Sequence, residues 1–537
     1  MRKVNTSFLK DMRVLIVDDS STALLLIKQQ LVALGVNHEQ IITVERYQNA
    51  IKAIETHQFD VLILDYHLEQ HLTGYELAML LYRNRLISDT TGVLMISGDA
   101  RQETVLTALS GKVRHFVTKP LSNTSLAEKL SVINRETQKL IQISQAIVAG
   151  ETLSASDLFE MINRSGFNIS LEAYLLEHWM SKNKWALIDA YITISSTQCH
   201  ASKMCAMAYL LHRDNNTHQA IEELHLFLTE NPLSIRVMDT LSQLYAESNQ
   251  LSHAALWANK AFELTPSIGE RASKASQLTA LANKRNQLIK VGQTYARHMS
   301  LADINWLKSV IQHFQSLENV YQLTESTTAK TEVLHHANKF VQLASRKLTP
   351  KRVQQLVALH LLFQCHVLID ENNDALGHKK LMQSIATFYD ELFECPPILL
   401  MEFLPALGLL GEHDIHTALI NVLNARGANT QQLGLSQNSF SINANPAEHC
   451  QSQDQRLISQ AFLQQFPHSS QAKIQYLHAY SQSANLADAT QISRLISELT
   501  TLDLPPNWHN WVITGKQHGF ALTPPAAFSL STLNNRM

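Results

Sequence analysis

Five short apolar runs between residues 13 and 118 limit the fold of this part of the chain more than any other feature. They are Arg13–Val17, Ile41–Val44, Val61–Leu64, Val93–Ile96 and His115–Thr118. None alternates polar with apolar residues, so each predicts a strand covered on both faces, as in a parallel sheet. Helical stretches lie between them. Thr22–Leu34 carries an apolar stripe at Ala23, Leu26, Ile27, Leu31 and Leu34. Tyr47–Glu55, Gly74–Tyr82, Glu103–Leu109 and a segment starting near Ser122 complete the series. This alternation predicts a doubly wound α/β domain of five parallel strands over residues 11–140. Ligands of such sheets bind beyond the carboxyl ends of the strands.

After residue 140 strand-like runs stop and helix-period segments continue to the end. Two stretches repeat, MCAMAYLLHRDNNTHQAIEELHLFLTENP (204–232) and MDTLSQLYAESNQLSHAALWANKAFELTP (238–266). Pro232 and Pro266 are 34 residues apart, as are Ala220 and Ala254. Small residues (Ala208 or Ser242; Ala220 or Ala254) mark places where paired helices would cross closely. The period and the helix–turn–helix–proline pattern resemble the tetratricopeptide repeat. The expected organisation is early hairpins over 141–200, repeats over 201–270 and helical hairpins that lose the period over 271–426. A polar, amide-rich loop over 427–455 and a repeat-like segment over 456–537, with a weaker unit at 472–496, would follow. Stacked helix pairs offer a concave groove for a peptide or partner helix.

Composition removes several function classes. The 537 residues carry 44 Lys+Arg against 47 Asp+Glu, a net charge of −3, with no cationic cluster of the kind that anchors to phosphates. No run of 18 or more uncharged apolar residues predicts a membrane span, and the N-terminus lacks the apolar core of a signal peptide. Cys199, Cys205, Cys365, Cys395 and Cys450 are few, odd in number and scattered, which suits a reducing cytoplasm. The Cys199-His200, Cys365-His366 and His449-Cys450 pairs match no zinc-site spacing. Trp257 and Phe227 read as packing residues of the repeat helices rather than ligand cages.

The chemistry gathers at the strand ends. Strand one runs into Asp18 and Asp19, strand three into Asp65, strand four into Ser97 and strand five into Lys119-Pro120. In a five-stranded doubly wound sheet these ends are neighbours. Three adjacent carboxylates repel one another unless a cation compensates, and Mg²⁺ is the usual hard cation where phosphate also binds. With Lys119 and Ser97 facing phosphoryl oxygens, the set suits phosphoryl transfer to a carboxylate.

These residues, in the runs VLIVDDS, VLILD, LMISG and FVTKP, resemble the receiver domain of bacterial response regulators, a flavodoxin-like fold. The resemblance implies that Asp65 is phosphorylated by a histidine kinase or a phosphotransfer protein. It implies that Asp18, Asp19, Asp65 and the backbone carbonyl of His67 hold Mg²⁺. Ser97 and Lys119 would contact the phosphoryl group, Ser97 and Phe116 would form the switch, and Pro120 would follow a cis bond. The loop after Asp65 departs from the pattern: it lacks the common Met-Pro pair and is slightly long before Gly74. His67 and Asp99 stand two residues beyond Asp65 and Ser97, where the family tunes the lifetime of the phosphoryl group.

The output is expected to be a phosphorylation-dependent protein-binding region rather than an enzyme. No GGDEF-like run, HD pair with downstream GYP, or nucleotide-cradling glycine loop is present. A transcription factor is the alternative, but no compact basic helix-turn-helix unit appears. Either the last two receiver helices dock against the early helices near 143–200, or phosphorylation drives receiver dimerisation.

Overall fold

The computed structural model describes residues 7–524 apart from 69–71, 99–112, 149–153, 372, 429–454, 466, 468, 482–488, 502–503 and 505. The chain forms two compact units, residues 1–320 with 333–349, and residues 321–332 with 350–537.

The first unit begins with a five-stranded parallel sheet of order β2-β1-β3-β4-β5. Its elements are β1 (Val14–Val17), α1 (Ser21–Ala33), β2 (Ile41–Val44), α2 (Tyr47–Thr56), β3 (Val61–Asp65), α3 (Gly74–Arg83), β4 (Gly92–Ser97), β5 (His115–Thr118) and α4 (Asn123–Val148). Every residue of β1, β3 and β4 is buried, the condition that their unbroken apolar runs require. Val14, Ile16, Ile63, Leu94 and Ile96 meet Leu24, Ile27 and Leu31 of α1 and Leu126, Leu130 and Ile133 of α4 in one core. The expected helix Glu103–Leu109 lies outside the described residues.

Helix α4 passes through residue 140, where the sequence changes character. Its distal residues Leu140 and Ile143 pack with Leu158, Ile162, Leu171, Leu175 and Trp179 in a second core. The sheet domain and the helices that follow therefore share one continuous helix rather than a linker.

Paired helices come next: α5 (Ala155–Asn163), α6 (Asn168–Ser181) with α7 (Trp185–Ile194), α8 (Ala201–Arg213) with α9 (Thr217–Glu230), α10 (Ile235–Glu247) with α11 (Leu251–Leu264), and α12 (Gly269–Leu281) with α13 (Arg285–His298). The first helices of the last three pairs start 34 residues apart. Asn215, Asn249 and Asn283 keep the same interval, each in the left-handed region between the paired helices (φ 63°, 57° and 53°), and Asn183 does the same in the preceding pair (φ 54°). Asparagine tolerates this conformation better than most side chains, so it stops the first helix and turns the chain into the second. Ala208, Ala220, Ser242 and Ala254 are fully buried, and Ser242 Oγ donates to Ala254 O at 3.0 Å. The period thus extends through Gly269–His298, beyond the two units marked by Ala220, Ala254, Pro232 and Pro266. Lys260 Nζ lies 4.0 Å from the centre of the Trp257 ring, so that ring faces a lysine ammonium in a cation–π contact.

The second unit is also helical among its described residues. Helix Pro350–Asp370 pairs with Asp374–Ala386, and Ser384 Oγ donates to Ala358 O at 2.6 Å across the crossing. The 350–370 helix is long and apolar enough to cross a membrane; its charged residues, Lys351, Arg352 and Asp370, lie at its ends, and glutamines and histidines interrupt the apolar run between them. Half of that stretch is buried within the protein. Trp508, Trp511, Tyr476, Tyr480 and Phe520 anchor a C-terminal cluster. The expected loop at 427–455 falls almost wholly outside the described residues, and so does Cys450.

Candidate phosphoacceptor site

Parallel register assembles the site. Val17 pairs with Leu64, so the residues that follow, Asp18 and Asp65, emerge side by side. Asp65 pairs with Ile96, which precedes Ser97, and Ser97 pairs with Thr118, which precedes Lys119. The backbone continues the link, since Lys119 N donates to Ser97 O at 2.8 Å.

Asp18, Asp19 and Asp65 each offer an oxygen within 4.8 Å of the others, the only such group of three metal-binding side chains among the described residues. Asp18 and Asp65 are buried and Asp19 is exposed. Lys119 Nζ bridges the buried pair, 2.7 Å from Asp18 Oδ2 and 2.8 Å from Asp65 Oδ1. Burial raises the Asp65 pKa above the ordinary carboxylate value; the hydrogen bond and charge of Lys119 oppose the shift, and the neighbouring aspartates add to it. Burial also works against the charged form of Lys119, but its hydrogen bonds to Asp18 and Asp65 outweigh that and raise its pKa. One ammonium thus faces three carboxylates, an excess of hard anionic oxygen that suits a divalent cation.

The surrounding positions are arranged as follows. Ser97 is fully buried at the end of β4. Phe116 is half-buried on β5, in register with Met95. His67 is exposed in the loop after β3, its ring packed edge-on against Tyr66. The Lys119–Pro120 peptide bond is cis. Asp99 lies outside the described residues. His200 belongs to a different cluster, with its Nε2 3.3 Å from Glu172 Oε1. Cys199 joins no metal-binding group among the described residues.

The loop after Asp65 is held by its return into α3. Gly74 N donates to Tyr66 O at 2.9 Å, and a Cβ on Gly74 would lie 2.1 Å from the Asp65 carbonyl oxygen. Only glycine admits this approach. Thr73 and Glu76 then close a capping box at the start of α3, with Glu76 N donating to Thr73 Oγ1 at 3.2 Å and Thr73 N donating to Glu76 Oε2 at 3.1 Å. Glu76 did not stand out as functional in the sequence, although Thr73-x-x-Glu76 carries the capping-box spacing.

Comparison with known proteins agrees with this geometry. The family of the response regulator receiver domain matches residues 14–131. The chemotaxis protein CheY homolog of Campylobacter jejuni is 30% identical over 120 residues, which cover 22% of this chain and 89% of that protein. The chain belongs to the response regulator receiver family. Chemotaxis protein CheY-3 of Vibrio cholerae is 29% identical over 124 residues, 23% of this response regulator and 92% of the relative. A solved chain containing a yeast Spc42 coiled-coil segment aligns with 32% of the response regulator at 17% identity and a TM-score of 0.21, too slight a likeness to carry an argument.

Proposed function

We propose that this response regulator is phosphorylated on Asp65 by a histidine kinase or phosphotransfer protein, and that its helical repeats bind a partner protein according to the state of Asp65. The observation that carries this reading is the placement of Asp65 beside Asp18 and Asp19 at the carboxyl edge of the sheet, with Lys119 bridging Asp65 and Asp18. In the transfer step, a carboxylate oxygen of Asp65 forms a bond to phosphorus while the phosphorus–nitrogen bond of a donor phosphohistidine breaks, and the imidazole nitrogen retains that electron pair. Lys119 would neutralise charge at the phosphoryl oxygens, and Ser97, at the end of the strand paired with that of Asp65, would donate to one of them. Asp18, Asp19, Asp65 and the His67 carbonyl would hold Mg²⁺, which supplies charge neutralisation during transfer. Phe116 and Ser97 act as the switch pair.

The repeats support a protein-binding output. The 34-residue helix pairs match the tetratricopeptide pattern in period and in small residues at the crossings. The balanced charge favours a protein partner over nucleic acid, and we place the protein in the cytoplasm. Affinity capture from a native lysate, with and without beryllofluoride and Mg²⁺, tests the reading. A bound set that changes in the wild type and stays constant in Asp65→Asn supports it. A set that ignores both overturns the switch.

A further inference from the structure

Helix α3 is buried nearly all round: Gly74 to Ala78 and Leu80 to Tyr82 are all buried. One face packs on the sheet. The other meets the repeats, where α11 turns into α12 and just after α13. Glu76, only 3% exposed, accepts from Ser267 N at 3.0 Å through Oε1. Arg83 Nη1 lies 2.5 Å from Glu270 Oε2, and Asn84 Nδ2 donates to Ala302 O at 2.7 Å.

Three properties make this contact fit for reversible use. First, two hydrogen bonds and an ion pair cross it, polar contacts of the kind found in domain interfaces that open and close. Second, it is imperfectly matched. Among the described residues, Asn84 Oδ1 is buried without a hydrogen-bond partner, and the buried Glu76 carboxylate accepts from neutral donors, Thr73 and Ser267. Opening would return Glu76 to water, which solvates it well. Third, the contact is tied to the phosphoacceptor. Asp65 leads to Tyr66, whose carbonyl binds Gly74 N, and Gly74 opens the helix turn that carries Glu76.

From this juxtaposition we propose that α3 and the 265–271 turn form a latch that holds the receiver against its own repeats while Asp65 carries no phosphoryl group, and opens when it does. The proposal rests on Asp65 being the phosphoacceptor and adds the surface through which its state reaches the output. The latch works through α3, whereas the sequence pointed to the last two receiver helices and the segment near 143–200. By linkage, whatever binds the opened turn also stabilises the phosphorylated receiver.

Hydrogen exchange on the intact chain, with and without beryllofluoride and Mg²⁺, tests it, because the Ser267 amide is held by Glu76 itself. In the wild type the ligand should protect the segment around Asp65 and speed Ser267 exchange about tenfold. Arg83→Glu sets two carboxylates against each other, and Asn84→Ala removes a single amide. Each should speed Ser267 exchange about threefold without ligand, and Glu270→Arg added to Arg83→Glu should restore the slow rate. Protection at Asp65 with unchanged or slower exchange at Ser267 overturns the latch and leaves the phosphoacceptor reading standing. Absence of protection at Asp65 overturns both.

Discussion

Gly74→Ala tests how closely α3 approaches Asp65. The new Cβ would sit 2.1 Å from the Asp65 carbonyl oxygen, 3.0 Å from the carbonyl carbon and 3.2 Å from the sulfur of Met95. Ordinary contact needs roughly 1 Å more, and the obstructing atom is strand backbone rather than the end of a flexible side chain. Such overpacking costs about 1–3 kcal/mol, and pushing α3 outward also strains the Gly74 N–Tyr66 O bond, worth about 1 kcal/mol. Against this, alanine gains at most about 1 kcal/mol of helix propensity, and less at the first helical position. The balance is a loss of about 2 kcal/mol. Urea unfolding followed by circular dichroism measures it, and beryllofluoride titration reports the site. A variant as stable as the parent with unimpaired ligand binding would refute the close approach and the coupling built on it.

Other perturbations follow from the same structure. Burial opposes ionisation of Glu136, but the hydrogen bond from His115 and the charge of Arg114 outweigh it and hold its pKa at about 2. Its folded value is depressed below the ordinary 4.5, so its contribution is present above pH 4.5 and is lost as pH falls toward 2. Glu136→Gln should flatten the loss of stability across that window in an acid titration of the melting temperature. Asn249, at φ 57°, should accept glycine with little change, whereas Asn249→Val should cost about 1–2 kcal/mol in a denaturant titration. Gly292→Ala would press a Cβ to 2.3 Å from His313 Nε2 and 2.6 Å from His336 Nε2. It should lower the melting temperature by separating that buried, hydrogen-bonded histidine pair.

The sheet was readable because its strands obey one constraint. Val14–Val17, Val61–Leu64 and Val93–Ile96 are apolar throughout because both faces are covered, and a parallel register then carries Asp18, Asp65, Ser97 and Lys119 to one edge. The third repeat was hidden for a local reason. At the positions of Ala220 and Ala254 it has Leu288, and at those of Pro232 and Pro266 it has Ser300, so both visible markers are absent. The asparagines at 215, 249 and 283 carry the period instead, through backbone conformation. The second burial of α3 left no periodic trace either. Its outward contacts are Glu76, Arg83 and Asn84, which read as solvated residues until a distant turn is folded against them. Sequence periodicity reports what one element requires, whereas a docking surface depends on two.

The account turns on Asp65 accepting a phosphoryl group. Intact-mass and peptide mass spectrometry after incubation with acetyl phosphate and Mg²⁺ tests this most directly. The account predicts one added phosphoryl group on the peptide containing Asp65, abolished in Asp65→Asn and greatly reduced in Lys119→Ala. An unmodified chain, or a phosphoryl group found elsewhere, would contradict it.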